Sequence, residues 1–413
     1  MKRPVCVGGG LLLSLVVLIS VIGISVIGCS RQEVRSLSRE DLFRIELGKM
    51  EDQLDVFYGP GQPLRHKTRL FMRDGRFFVG DAAANKIMQF TSYGDLLSLL
   101  YNPDDNPRPV QLQASQNPGT LINRRAYPYH FRQTGEIAVT SGKELLVEEY
   151  LSPERAVYDE ERAASLNRQV LRFTPQGRLI DYLGQEGIGG SPFPHIESIH
   201  VNDHDEIIVI SHTLDTWIVY WFSPEGEPLY EIEIPNDRLP LVADEDNLIP
   251  FLETIKPDRE QHRLYLHLNY YRESVDAETE ATYGIETYAS RIYWLDLESG
   301  RYEGYVDIPE NVQQRPGHSV FDQQEVQFLY EFIGTGRGET FFLLSRERAT
   351  QVQLMIMNAE GRVLSRRMIE IPEPDLLMKS FNLTADGILS ALLVGHDEAR
   401  VVWWRSDRLL AGR

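Results

Sequence analysis

The sequence predicts an all-β fold, a β-propeller for which six blades are favoured and seven are the alternative. The first observation is a hairpin unit of two apolar strands around a polar turn, as in NKIMQFTSYGDLLSLLY at 85–101. Later copies occupy 168–184, 217–235, 290–309, 353–372 and, in shortened form, 399–410. The second observation is another pair of strands upstream of most copies, at 68–81, 197–211, 326–345 and 379–395. Four strands that recur together are typical of propeller blades.

The spacing of the turns predicts the same fold. Gly177 and Gly226 mark equivalent turns 49 residues apart, which matches the roughly 40–50 residues of a single blade. Longer intervals contain polar insertions near 102–125, 152–168 and 272–286. The second insertion could form one short helix, and we expect the third to be a surface loop. A seventh blade would require degenerate strands within 102–130.

The segment EDLFRIELGK at 40–49 precedes the first blade and is predicted to close the propeller. The sixth hairpin copy is too short to supply an outermost strand, and a strand borrowed from the N-terminus would remove an exposed sheet edge. We therefore predict that 42–48 completes the last blade, within a propeller domain at 42–410. The alternative is a short helix that runs into MEDQLDVF.

The N-terminus is typical of an export signal. Lys2 and Arg3 are followed by an uncharged apolar run that ends at Gly28, directly before Cys29. The Gly28-Cys29 pair resembles the lipobox of bacterial lipoproteins, which implies a signal peptide at 1–28, cleavage before Cys29, acylation of that residue with groups such as palmitate, and a tether at 29–41. The alternative is an uncleaved anchor, because the run reaches the roughly 20 residues that span a bilayer. Both interpretations place the remaining chain outside the cytoplasm.

Composition limits the partners and the means of stabilisation. The formal net charge is −19, and an acidic surface repels phosphate backbones, so nucleic-acid binding is not expected. The only cysteines are Cys6 and Cys29, so the processed chain would have no internal disulfide and would depend on a hydrophobic core. We expect a monomer without a cofactor, held at a membrane through Cys29.

The first blade resembles an NHL repeat. The matching residues in LFMRDGRFFVGDAAANKIMQFTSYGDLL (70–97) are an apolar pair before Gly75, Phe78-Val79, Asp81, Asn85, Ile87, Phe90 and Gly94, and the second unit keeps Asn167, Val170, Phe173 and Gly177. The resemblance implies structural roles for Asp81 and Asn85, which would tie the turn between strands through side-chain to backbone hydrogen bonds. Residues 42–57, the lipobox and the blade layout together resemble a group of uncharacterised spirochaete lipoproteins, which implies no particular activity.

The candidate metal-binding residues are His200, His204 and His212, which cluster with His195, Asp203 and Asp205 in PHIESIHVNDHDEIIVISHT. Imidazole and carboxylate groups are good metal ligands. However, His204 falls in a predicted turn, and His200 and His212 fall on different strands. We therefore favour ordinary turn and strand residues, with no metal and no catalytic residue assigned.

Three other motifs are interpreted as structural. GTGRGE at 334–339 lies between two strands, whereas a phosphate loop needs a helix after it, so a hairpin turn is favoured. ADEDN at 243–247 lacks the Gly and the distal Glu of a calcium loop. The aromatic runs at 218–222, 265–271 and 401–404 are favoured as core between blades over a sugar-binding platform.

These observations favour a lipid-anchored, extracytoplasmic propeller that serves as a non-enzymatic scaffold for a protein or another ligand. We expect it on the periplasmic side of an outer membrane or on the cell surface. The alternative is a hydrolase or lyase with a metal site at the central channel. Three or more carboxylate, Asn or His side chains that converge at the channel mouth within metal-ligand distance would favour the enzyme over the scaffold.

Overall fold

The strands of this chain form six successive sheets around one channel. The computed structural model describes residues 34–56, 66–112, 125–243, 245, 247–275, 282–316 and 323–410. The predicted signal peptide at 1–28 and Cys29 lie outside these residues. The chain divides into a unit that ends at Arg35 and a compact unit from Ser36 to Arg413. The second unit is a six-bladed β-propeller, so the predicted fold and the favoured number of blades are confirmed.

In each blade the first strand lies against the channel and the later strands follow outwards. The first strand of the chain, β1 (Glu40–Glu46), belongs to the last blade. Blade 1 comprises β2 (Thr68–Arg73), β3 (Arg76–Asp81), β4 (Lys86–Thr91), β5 (Leu96–Tyr101) and β6 (Arg125–Pro128). Blade 2 comprises β7 (Thr134–Val139), β8 (Leu145–Tyr150), β11 (Arg168–Phe173), β12 (Leu179–Gly184) and β13 (Gly187–Ile188), and a separate hairpin is formed by β9 (Val157–Asp159) and β10 (Ala164–Leu166).

The remaining blades have four strands each. Blade 3 comprises β14 (His195–Val201), β15 (Ile207–His212), β16 (Thr216–Phe222) and β17 (Pro228–Pro235). Blade 4 comprises β18 (Ile249–Pro257), β19 (Arg263–Val275), β20 (Thr282–Asp296) and β21 (Arg301–Asp307), and is followed by a hairpin of β22 (Val312–Pro316) and β23 (Gln323–Gln327). Blade 5 comprises β24 (Tyr330–Gly336), β25 (Thr340–Arg348), β26 (Gln351–Asn358) and β27 (Val363–Glu370), and blade 6 comprises β28 (Leu376–Leu383), β29 (Leu389–Gly395), β30 (Glu398–Trp404) and β1.

Helical structure is limited to three short 3₁₀ turns at Asn236–Arg238, Glu373–Asp375 and Ser406–Leu409 in the part of the chain that the structure describes. Within the same residues, no helix is long and apolar enough to cross a membrane.

The hydrophobic core lies between neighbouring blades. β15 is buried almost throughout, because adjacent blades cover both of its faces, and its Ile and Val residues suit such a strand. The aromatic runs supply some of the largest fully buried side chains, which are Trp221, Tyr265, Tyr270 and Trp404. Their burial confirms that these runs are core rather than an exposed sugar-binding platform.

The predicted closure is confirmed, with the closing strand at Glu40–Glu46 instead of 42–48. β1 pairs antiparallel with β30 as the outermost strand of blade 6, with Phe43 opposite Val401. Phe43 and Ile45 are buried while Arg44 and Glu46 are exposed, and this period of two is the pattern of a strand rather than a helix. Glu40 and Asp41 therefore belong to the sheet and not to the predicted tether.

The two faces of the propeller differ in the connections that they carry. In each blade the first four strands alternate in direction, so the connections between them fall alternately on the two faces. On one face the described connections between these strands are turns of at most five residues, such as Asp74-Gly75 between β2 and β3. The innermost strands begin on the other face, which we call the loop face, and the longer described connections, such as 151–167, open there.

Two of the predicted insertions differ from expectation. Residues 152–168 contain the β9–β10 hairpin rather than a helix, and Arg162 ties this hairpin to β17 through Glu231 at 2.9 Å and Glu233 at 2.7 Å. At 272–286 the β19–β20 ladder continues beyond the blade instead of forming a loop, because alternating β-forming residues keep pairing as far as Val275 opposite Thr282.

The region 102–130 contains β6 but no additional blade among its described residues. β6 runs parallel to β5 at the outer edge of blade 1, with Tyr101 opposite Pro128. The strand therefore widens an existing blade, and the seven-bladed alternative is wrong.

Candidate functional site

The innermost strands of all six blades line a central channel of about 740 Å³. Many of its wall residues are polar or charged, although the surrounding blades are held together by apolar contacts. The charged side chains on the wall include Arg69, Glu136, Glu197, Glu253, Lys256, Arg259, Glu331 and Lys379.

Bulges on the innermost strands determine which side chains face the channel near the loop face. In blades 2 to 6 the innermost strand contains a bulge, at which one extra residue has no partner on the neighbouring strand. The bulge residues are Glu136 (with Gly135), Glu197, Glu253, Ile333 and Leu377. A bulge changes the direction of the side chain that it carries. Three consecutive blades thus place a glutamate at an equivalent position.

The three bulge glutamates have different neighbours. Glu136 pairs with Arg69 at 2.7 Å and with Lys67 at 3.3 Å. Glu253 accepts a hydrogen bond of 2.7 Å from the Asn269 amide. The carboxylate of Glu197 instead faces two imidazoles, with its Oε2 at 3.9 Å from His195 Nε2 and 3.8 Å from His212 Nε2.

The bulge at Glu197 also brings the two histidines together. β14 and β15 pair with Val201 opposite Ile207, and an unbroken register would place His195 opposite Thr213. The extra residue shifts the register by one position, so that His195 lies opposite His212. Opposite residues of an antiparallel pair point to the same face of the sheet, and these ring centroids are 4.7 Å apart.

Both histidines present Nε2 towards Glu197. His212 Nδ1 lies 3.0 Å from the carbonyl oxygen of Thr213, and since a carbonyl only accepts, Nδ1 is the nitrogen that carries the hydrogen. Burial, together with the nearby charges of Lys67, His212 and Arg168, lowers the pKa of His195 to about 4. The His195 imidazole is therefore neutral at pH 7 and has a free lone pair.

A buried ion-pair network holds the backbone between His195 and Glu197. Lys67 Nζ donates a hydrogen bond of 2.5 Å to the carbonyl of Ile196 and lies 3.1 Å from Glu148. Glu148 is fully buried, and Arg168 Nε lies 3.2 Å from its second oxygen. Burial raises the pKa of Glu148, against the opposing effect of Lys67. The network fixes the strand from which the two side chains project.

The other predicted histidines lie apart from this group. His200 is deeper on the channel wall, with Nε2 2.9 Å from Ser198 Oγ, and His204 is in the turn of the opposite face, near the Glu260 carbonyl. Among the described residues, ligand atoms that all lie within 4.8 Å of one another belong to His195, Glu197 and His212. The sequence pointed to the histidine cluster but missed Glu197, because a one-residue bulge has no recognisable signature in a single sequence.

Asp81 is the last residue of β3, and Asn85 lies in the turn between β3 and β4. Asp81 is buried, and its carboxylate accepts hydrogen bonds from the backbone N–H of Ala84 at 3.2 Å and of Asp55 at 2.8 Å. Asn85 has a φ of 50° and accepts a hydrogen bond of 2.9 Å from the backbone N–H of Thr134 in blade 2. Both side chains thus bind backbone, as a structural role requires, and Asn85 joins two blades.

Of the two remaining motifs, GTGRGE is fully described and ADEDN only in part. GTGRGE spans the end of β24, a turn at 337–339 and the approach to β25, so it is a hairpin turn as predicted. In ADEDN, Asp244 and Asp246 lie outside the described residues.

No known protein family and no curated protein matches this sequence. Similar folds occur among solved structures. The polysaccharide lyase Uly1 is 8% identical, with 88% of this chain and 99% of that chain covered and a TM-score of 0.42. The propeller domain of the Trilobed protease from Pyrococcus furiosus is 10% identical (82% and 96% covered, TM-score 0.39), and a streptogramin B lyase is 11% identical (87% and 96% covered, TM-score 0.35). At these identities the similarity concerns the β-propeller fold alone.

Proposed function

We propose that this chain is a lipid-anchored, extracytoplasmic propeller that catalyses a hydrolysis or an elimination at the loop-face mouth of its central channel. The observation that carries the proposal is the convergence of His195, Glu197 and His212. Glu197 lines the channel, and the two histidines lie at the loop-face ends of β14 and β15. A propeller enzyme with a metal site in its channel requires such a convergence, whereas a scaffold does not. The longer described connections, such as 151–167, open on the same face, and loops on a rigid scaffold are where binding and catalytic groups concentrate.

Lys256 supports a catalytic function for the same channel. It lies on the channel wall, and within the described part of the chain no hydrogen bond or ion pair engages its ammonium group. Burial lowers its pKa, against the raising effects of Glu331, Glu197 and Glu136. A lysine whose pKa is lowered in this way can accept a proton at neutral pH more readily than a surface lysine.

The anchoring step predicts a specific labelling result. In a bacterial host supplied with a clickable palmitate analogue, we expect the wild-type chain to be labelled and Cys29→Ala to lose the label completely. Cys6→Ala is the matched control, because the other cysteine lies within the predicted signal peptide, and it should remain labelled. Label retained by Cys29→Ala, or lost from Cys6→Ala, would contradict lipidation at Cys29.

The second candidate function is the scaffold, and the extended β19–β20 hairpin is the observation that favours it. This hairpin projects beyond blade 4 on the loop face and exposes Ile285. A projecting hairpin offers backbone and apolar side chains that a protein partner can bind.

Shortening this hairpin separates the two functions. In one variant, residues 272–286 are replaced by Asn-Gly, which connects the paired residues Tyr271 and Thr287 by a two-residue turn. If the channel mouth is the site of function, tagged wild-type and shortened proteins should capture the same proteins from solubilised membranes. A stoichiometric partner that is lost on shortening, but kept when the opposite-face residue Arg337 is changed to Ala, would instead establish the scaffold.

A further inference from the structure

We infer that His195, Glu197 and His212 bind one divalent transition-metal ion of the zinc class at the loop-face mouth of the channel. This inference rests on the proposed function only for the location of the site. It does not require catalysis, since a protein can also bind a metal without catalysing a reaction. It specifies the ligands, the type of ion and the coordination that the channel would use.

The ligand set selects the ion. Two imidazole nitrogens and one carboxylate suit zinc and its first-row neighbours, whereas calcium and magnesium prefer oxygen ligands alone. Three protein ligands leave at least one coordination position for water or a substrate, which is the arrangement of catalytic rather than structural zinc. The side chains of His195, Glu197 and His212 are 39%, 50% and 36% exposed, so that position is accessible from solvent.

The distances fit an ion better than a hydrogen-bonded cluster. Glu197 Oε2 is 3.9 Å from His195 Nε2 and 3.8 Å from His212 Nε2, and hydrogen bonds of this kind rarely exceed about 3.2 Å. The carboxylate is thus nearly equidistant from two imidazoles and hydrogen-bonded to neither. Tetrahedral bonds of 2.0–2.2 Å separate their ligand atoms by about 3.4 Å. Glu197 Oε2 would thus have to come about 0.5 Å closer to each imidazole nitrogen, and all three ligand atoms already lie within 4.8 Å of one another.

The neighbouring groups orient the ligands. His212 donates Nδ1–H to the Thr213 carbonyl, and ligating histidines commonly hold their second nitrogen in this way. Its ring also lies 5.3 Å from the ring of Trp217, which limits its rotation. Lys67 holds the Ile196 carbonyl between the other two ligands.

The nearest cations do not oppose metal binding strongly. Lys67 and Arg168 both contribute to the low pKa of His195, so their charges reach the site. Lys67 is paired with Glu136 and Glu148, however, and Arg168 is paired with Glu148. These carboxylates compensate the two positive charges.

Zinc titration of the mature lipoprotein in detergent tests the inference. We expect one zinc ion per chain, and a loss of affinity of at least 100-fold in His195→Ala and in His212→Ala and of 10-fold or more in Glu197→Gln. Zinc should also raise the urea midpoint of the wild-type protein but not of these variants, because a ligand that binds the folded state stabilises it. Circular dichroism verifies that each variant is folded.

His130→Ala is the matched control. His130 Nδ1 lies 2.9 Å from Asp104 Oδ2, an exposed histidine–carboxylate pair that belongs to no group of three among the described residues. Its loss should leave zinc affinity and stoichiometry unchanged. Substoichiometric zinc in the wild type, or equal affinities in wild type, His195→Ala and His212→Ala, would overturn the inference. A further outcome is that zinc binds stoichiometrically while a protein partner is lost when the β19–β20 hairpin is shortened. That pair of results would retain the metal site and refute the enzymatic function.

Discussion

Replacing Phe43 by alanine is expected to lower the free energy of unfolding by about 3–5 kcal/mol, the usual cost of truncating a core phenylalanine. Phe43 is 8% exposed and projects from β1 of blade 6 into the core of blade 1. Its ring centroid lies 5.7 Å from that of Phe77 in an edge-to-face arrangement and 5.3 Å from that of Phe90. The substitution removes the contacts that link the closing strand to the first blade. Urea denaturation followed by circular dichroism measures the loss.

Arg44→Ala is the control on the same strand. The Arg44 side chain is 69% exposed and pairs with Glu398 at 3.3 Å, a surface ion pair that is worth at most about 1 kcal/mol. Its loss should change stability by less than 1 kcal/mol. If Phe43→Ala costs no more than Arg44→Ala, β1 does not contribute to the core as the structure indicates.

Much of this fold is predictable because its turns carry local signals. Gly75, Gly94 and Gly177 all have positive φ values in turns between strands, and each appears in the sequence between two alternating apolar runs. The closing strand is predictable because its period of two leaves Phe43 and Ile45 on one face. The strands β7 and β8 were not predicted as a pair. Their turn has Lys143, at φ 67°, as its positive-φ residue, so the usual glycine signal is displaced.

The candidate site is much less predictable than the blades. His195 and His212 were both in the predicted cluster, but their pairing depends on a register shift that originates at Glu197. A one-residue bulge reverses which side chains meet across a hairpin, and nothing in local composition marks it. The equivalent bulges at Glu136 and Glu253 are likewise defined by the pairing of the strands and not by a local sequence pattern. Register, rather than residue type, therefore limits what the sequence alone can predict about this channel.

The second large effect is expected at Asp81, where Asp81→Ala should lower the free energy of unfolding by about 3–5 kcal/mol. The substitution leaves the buried N–H groups of Asp55 and Ala84 without their acceptor. It also removes the carboxylate that lies 3.8 Å from the fully buried ammonium of Lys86. Asp74→Asn is the control in the same blade, because that side chain is 70% exposed and Asn tolerates the φ of 51° at this position, and it should cost under 1 kcal/mol.

The pH dependence at Asp81 has a defined sign. Burial raises the pKa of Asp81 from 3.8 to about 6, and the opposing effect of Lys86 does not cancel the shift. Between these two values the folded protein binds more protons than the unfolded chain, so this group reduces stability by up to about 3 kcal/mol as the pH rises from 4 to 7. Asp81→Asn has no such titration. Urea denaturation at pH 4 and pH 7 should therefore show that the stability advantage of the wild type over Asp81→Asn shrinks as the pH rises. If this advantage grows instead, the ion pair with Lys86 outweighs the burial of the carboxylate.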